Sequence, residues 1–217
     1  MVESATGLVL RTRPLTETSL IVHWLTPQFG RLATVAKGAR RPKSPFRGKL
    51  DLFYVANFSF SRSRNSELHN LREISVLQTH EFLRREITYL QQAAYCVRLI
   101  EQATETETPL GSLFQLCRDL LEALPGHPPR PQLIFAFELK LLVELGLDPD
   151  LSQVQLSGGA IALIRNLQKA DWPGIARLQL STDQVKELRQ FLHGFLIYHL
   201  GRIPKGRDSA LEPRLLA

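Results

Sequence analysis

Apolar and polar positions alternate in short runs over the first 80 residues and recur at helical spacing from about residue 81 onward. Residues 5–13 and 18–26 are rich in β-branched and apolar side chains. They are separated at Arg13-Pro14, where proline has no N–H to give a central ladder. Pro27-Gln28-Phe29-Gly30 reads as a turn, and 31–37 as a third strand. The spacing predicts a fourth over 52–60, with Leu52, Tyr54, Ala56, Phe58 and Phe60 on one face. Beyond the polar loop 61–66, residues 67–77 complete the set. Five short strands without an intervening helix predict a small closed barrel. The five-stranded OB type fits best, and an SH3-like barrel is the competitor on pattern.

From Glu81 the period lengthens. Phe82, Ile87, Leu90, Ala94, Val97 and Ile100 recur every three to five residues until the polar break at 104–109. Ser112 is placed to cap a second helix, with Leu113, Leu116, Cys117, Leu120, Leu121 and Leu124 in one stripe, closed by Pro125-Gly126. Pro131 stands where a helix can begin, and Ile134, Phe135, Glu138, Leu141, Leu142 and Leu145 carry it to Gly146. Ser181 with Gln184 resembles a capping box; Val185, Leu188, Leu192, Phe195 and His199 then share a face up to Gly201. The expectation is an α+β chain with an OB-type barrel over 1–80 and a helical bundle over 81–217.

Charge divides at the same boundary. The first 80 residues hold 12 Lys and Arg against 5 Asp and Glu, the remainder 15 against 16. A basic domain beside a near-neutral one points to a polyanionic partner for the first. Between positions 37 and 49 lie Lys37, Arg40, Arg41, Lys43, Arg47 and Lys49 with no acid. Gly38, Pro42, Pro45 and Gly48 make this segment a loop that presents its charges. Arginine forks and lysine point charges suit a phosphate backbone, and Arg11, Arg13, Arg31, Arg62, Arg64 and Arg72 extend the footprint wherever their strands face it. Phe29 and Phe46 are candidate platforms for unpaired bases.

Other chemistry finds little support. There is no phosphate loop of the G-x-x-x-x-G-K-[ST] kind, no H-E-x-x-H and no G-x-S-x-G. Ser157-Gly158-Gly159 is too short for a nucleotide site, and His193 and His199 fall on different helix faces. No catalytic residue, metal site or cofactor is expected. The two cysteines, Cys96 and Cys117, read as buried thiols. No apolar stretch reaches the ~18 residues of a membrane span, and Met1-Val2-Glu3-Ser4 does not open like a signal peptide, so a cytoplasmic protein is expected.

Four strings carry a resemblance. GLVLRTRPLTETSLIVHWLTPQFGRLATVAKGARRPKS (7–44), and above all AKGARRPKS (36–44), is similar to the opening of the RecO family of bacterial DNA repair and recombination mediators. LHNLREISVL (68–77) resembles the end of that family's barrel. FELKLLVELGLDPDL (137–151) and YHLGRIPKGRDSAL (198–211) resemble its helical domain and tail. The resemblance implies an N-terminal OB fold and binding of single- and double-stranded DNA. It also implies ATP-independent strand annealing, partnership with RecR and single-stranded-DNA-binding protein, and help in loading RecA on the nucleoid.

One departure stands out. Much of the family carries a four-cysteine zinc module after the stretch matching 146–151, whereas 152–181 here has no cysteine or histidine, so a shortened segment without zinc is expected, helical over 160–167. The basic tail, Arg202, Lys205, Arg207 and Arg214, is placed to meet an acidic peptide such as the tail of single-stranded-DNA-binding protein. Two rival readings remain: a protein-binding adaptor of the repair machinery with incidental DNA affinity, and an RNA-binding OB protein.

Overall fold

The computed structural model describes residues 2–126 and 130–212, so Met1 and Arg214 lie outside the described residues. They form two compact units: the chain to Glu81 with Thr104–Gln115, and Phe82–Ala103 with the chain from Leu116 onward.

The first unit is built on β1 (Val2–Pro14), β2 (Leu20–Thr26), β3 (Gly30–Ala36), β4 (Val55–Ser61) and β5 (Leu68–Gln78). These close into a barrel in the order β1-β2-β3-β5-β4. Every pairing is antiparallel except β3–β5, which is parallel and runs only over Ala33–Val35 against Leu68–Asn70. This is the OB type. Alternation fills the interior: Val9, Val22, Trp24, Leu32, Ala56, Phe58, Phe60, Leu71 and Ile74 make the core. Trp24 stacks on Phe58 with ring centroids 4.1 Å apart, and its indole N–H donates to the Thr34 hydroxyl at 2.9 Å. The buried polar edge of the ring is thereby satisfied.

The fourth strand starts later than its alternation suggests. Phe53 lies in the left-handed region (φ 66°), where its buried ring and its N–H to the Val9 carbonyl (3.0 Å) hold it. That turn ends the alternation, leaves Leu52 exposed and lets pairing begin at Val55.

Seven helices follow among the described residues: α1 (Ile87–Ala103), α2 (Gly111–Ala123), α3 (Pro131–Glu144), α4 (Gly158–Lys169), α5 (Trp172–Arg177), α6 (Thr182–Leu200) and α7 (Arg207–Leu211). None is long and apolar enough to cross a membrane. Three expected caps are present, namely Pro131 in the first turn of α3, Gly146 with positive φ just after it, and the Ser181–Gln184 capping box of α6, whereas Ser112 lies inside α2, which already begins at Gly111. Two stripes are shifted. Phe82 and Ile87 are exposed, and α1 buries Tyr89, Ala93, Cys96, Val97 and Ile100 instead. On α6 the buried row is Leu188, Leu192 and Leu196, which leaves His199 exposed. Residues 152–181 fold mainly as α4 and α5, with Ser157 and Asp171 as their N-caps. Cys96 and Cys117 are free and buried, and burial pushes the Cys117 thiol up to about 12.

Helix α3 is buried over most of its surface, and in its middle sits Glu138. Its carboxylate takes a two-pronged ion pair from Arg207 of α7, Nε to Oε1 at 2.7 Å and Nη2 to Oε2 at 2.8 Å, and a hydrogen bond from the Tyr95 hydroxyl of α1. Burial works against the Arg207 charge, yet Glu138 more than offsets it and holds the guanidinium above its ordinary range. Replacing Arg207 by Ala strands a carboxylate in this apolar setting. The expected loss is about 3–5 kcal/mol of unfolding free energy. Urea denaturation followed by circular dichroism checks it; a loss below about 1 kcal/mol, the usual value for an exposed pair, would contradict this account.

Candidate nucleic-acid interface

The connection from β3 to β4 contains the cationic segment, and it is ordered. Overlapping turns run along it, with N–H to carbonyl bonds from Ala39 to Ala36, Arg41 to Gly38, Ser44 to Arg41, Arg47 to Ser44 and Lys49 to Phe46, all between 3.0 and 3.3 Å. Gly38 and Gly48 take the positive φ that such tight turns need. Phe46, expected as a base-stacking platform, is instead 7% exposed and packs into the barrel core. The correction has a plain cause: with the turns supplying few apolar groups, Phe46 and Ala39 anchor the segment.

Anchoring leaves the charges outside. Lys37, Arg40, Arg41, Lys43 and Arg47 are exposed and Lys49 is half-buried. Among the described residues no carboxylate pairs with any of the six. Arg40 fastens the segment to the β1–β2 turn, its N–H donating to Thr18 O at 2.9 Å and its guanidinium to Thr16 O at 3.1 Å. Arg11 and Arg13 lie on the adjoining strand, in register with His23 and Ile21, and both are exposed. His23 reports the resulting field: burial first, then the charges of Arg11, Arg13 and Arg31, lowers its pKa from 6.5 to about 4.

Phe29 lies at the other end. It sits at the β2–β3 turn, half-buried, edge-on to Phe60 and with the Arg62 guanidinium 5.5 Å from its ring centre. A seven-residue strand separates it from the cationic segment, about 20 Å at the rise of an extended chain. The fold therefore ties the cationic loop to the β1–β2 turn through Arg40 and sets Phe29 at the other end of β3.

The tail divides too. Arg202 and Lys205 are exposed, but Arg207 is 4% exposed and bound to Glu138, so it is not presented to a peptide partner. Sequence reasoning saw a cation in a basic tail; its signal of burial was Glu138, a lone charge within an apolar helical stripe. Arg31 and Arg62, expected from sequence as extensions of the footprint according to strand facing, lie at the Phe29 end instead, Arg31 at the start of β3 and Arg62 over the Phe29 ring.

A closed OB-type barrel carrying a cationic loop, followed by a helical region, defines the class: a two-part protein of barrel and helices. Residues 1–80 match the family profile described as recombination protein O N terminal, and 84–154 and 153–208 match recombination protein O C terminal. The chain belongs to the RecO family of DNA repair proteins. Among similar proteins, DNA repair protein RecO of Exiguobacterium sibiricum is 32% identical over 162 residues, 75% of this chain and 64% of that protein. The proteins of the same name from Anaeromyxobacter sp. (strain Fw109-5) and Anaeromyxobacter sp. (strain K) are 32% and 28% identical, over 91% of both chains in each case.

Two outcomes test this surface. Phe46→Ala removes a core anchor, and the expected cost is about 3–5 kcal/mol in unfolding free energy; an unchanged denaturation midpoint would return Phe46 to the surface. His23 is neutral when folded, so between pH 6.5 and about 4 the unfolded chain takes up a proton that the folded barrel refuses. Stability present above pH 6.5 is therefore lost as pH falls through that window. The His23→Gln variant should show a flatter profile of thermal midpoint against pH.

Proposed function

We propose that this protein is a recombination mediator in DNA repair, without catalytic chemistry of its own, that binds single- and double-stranded DNA through the basic side of its barrel. The carrying observation is the ordered loop with Lys37, Arg40, Arg41, Lys43, Arg47 and Lys49 unpaired by any carboxylate among the described residues. An ordered cationic surface costs little to organise on binding and meets two polyanions alike. It thus lowers their mutual repulsion, which is what ATP-independent annealing of complementary strands requires. On this reading the protein acts in the cytoplasm on nucleoid DNA, with RecR and single-stranded-DNA-binding protein, to help load RecA.

A second role has its own observation. The C-terminal part of α6 exposes Tyr198 (83%) and Ile197 (41%), with the Phe195 and His199 rings tilted against each other 4.3 Å apart, and Arg202 and Lys205 follow shortly after. Cations beside this exposed helix end suit an acidic peptide, the chemistry expected of the tail of single-stranded-DNA-binding protein. It makes the adaptor role an addition to DNA binding.

Six phosphates neutralised on a single strand predict a slope of about −4 in log affinity against log salt. Fluorescence anisotropy of a labelled oligonucleotide measures it. Changing Arg40, Arg41 and Lys43 together to Glu should weaken binding at least a hundredfold at low salt and slow annealing, with the thermal midpoint nearly unchanged. A triple variant that binds and anneals like the parent would remove the loop from the interface. Competition by RNA of identical sequence separates the RNA-binding alternative.

A further inference from the structure

The β5 strand reaches only part of β3, and another segment occupies the remainder. Thr104–Thr108, within the sequence Thr-Glu-Thr-Glu-Thr, lies parallel to the N-terminal half of β3: Arg31 bridges to Thr106, and the Glu107 N–H donates to Arg31 O at 2.8 Å. The contact is close. A Cβ on Gly30 would fall 1.7 Å from the Thr108 carbonyl oxygen.

The side chains that meet this strap are those that hold single-stranded nucleic acid elsewhere in chemistry. The Arg31 guanidinium donates to the Thr104 hydroxyl (2.8 Å) and to its carbonyl. Arg62 and His69 each donate to the Glu107 carboxylate, at 2.8 and 2.9 Å, and Arg62 lies over Phe29. Two guanidiniums and an imidazole beside an aromatic ring make a phosphate-and-base subsite. The strap fills it with the Glu107 carboxylate and the hydroxyl and carbonyl oxygens of Thr104, an acidic extended chain where an acidic extended ligand fits. Arg62 and Glu107 are both over a third exposed, and exposed pairs of this kind hold weakly and yield to salt.

We propose that the Thr104–Thr108 strap is a competitor in cis for single-stranded nucleic acid: strands bound at the cationic loop gain Arg31, Arg62 and Phe29 only as the strap leaves β3. The inference rests on the DNA-binding reading above. It assigns the loop to first contact and the strap end to a second stage specific for single strands, because only unpaired bases can reach an aromatic face.

The test uses two variants of the full chain that open the strap by different physics. Glu107→Gln removes the carboxylate from Arg62 and His69; Gly30→Ala drives a methyl group into Thr108 without changing charge. Each should tighten binding of labelled oligo-dT roughly three- to tenfold at low salt and steepen the salt slope by about 0.7 per cation released, with duplex binding unchanged. Adding Arg62→Ala should cancel the gain, and Glu17→Gln, a neutralisation beside the loop, controls for net charge. Amide exchange supplies an independent readout on the unaltered protein, where saturating oligo-dT should speed exchange across 104–108. Unchanged affinity in both strap variants, or unchanged exchange while anisotropy shows the oligonucleotide bound, would overturn the strap inference and leave the DNA reading standing. No binding by the unaltered protein would remove both.

Discussion

Arg31 stands on the one stretch of β3 that β5 does not reach, and much of the barrel's chemistry follows from that short pairing. A parallel contact of three residues closes the barrel but leaves backbone groups of β3 facing outward beside it. Buried or half-buried backbone groups need partners, so a segment with its own free donors settles there. Here the segment is Thr104–Thr108, and its sequence is acidic. Backbone necessity explains why something covers this edge; the side chains explain why a covering of this charge is stable there. Burial alone would raise the Glu107 carboxyl, but Arg62 and His69 reverse that and hold it below its ordinary range.

The helical unit solves a similar problem with fewer groups. A carboxylate in the centre of α3 is costly unless matched, and the match comes from a helix of only five residues, α7, far along the chain. A helix that short has little stability of its own. Arg207 fixes where it docks, while Ala210 and Leu211 supply the buried apolar surface. Tyr95 completes the set, and burial together with Glu138 pushes its phenol far up. Gln92 extends the same arrangement by donating to the Ala210 carbonyl at 3.0 Å.

Much of this was legible in the sequence, and the failures share a cause. Strands were readable where alternation continued, as in Ala56, Phe58 and Phe60, because period two survives any tertiary context. It failed at Leu52 and Phe53, where a left-handed residue breaks the period and nothing in the residue types announces it. Helix ends marked by Pro131, Ser181 and Gly201 were readable because caps are local chemistry. The stripes of α1 and α6 shifted because which face is buried depends on neighbours distant in sequence. The six loop cations were legible for the same local reason as the caps. Phe46 and Arg207 were misread, and the pairing of Arg62 was not foreseen, because each meets a partner far away along the chain, in the barrel core, at Glu138 and at Glu107.

That distinction bears on how the basic charge of the barrel acts. Counting residues treats every arginine as equal, yet the fold sorts them. Arg62 is held by Glu3 and Glu107 together, so the field at its end of the barrel is largely compensated. The six loop cations meet no carboxylate among the described residues, so the field at their end is not. On the proposed DNA-binding reading, a polyanion would meet attraction at the cationic loop first and near-neutrality at the Phe29 side. Binding that spreads from one to the other must exchange protein ion pairs for phosphate contacts. Such exchange is nearly balanced in energy, because a carboxylate and a phosphate make similar charge-assisted bonds to a guanidinium. On the proposed reading, small differences in ligand would then decide the outcome: a flexible single strand would follow the curve of β3 to the second end, whereas a stiff duplex would stay at the first.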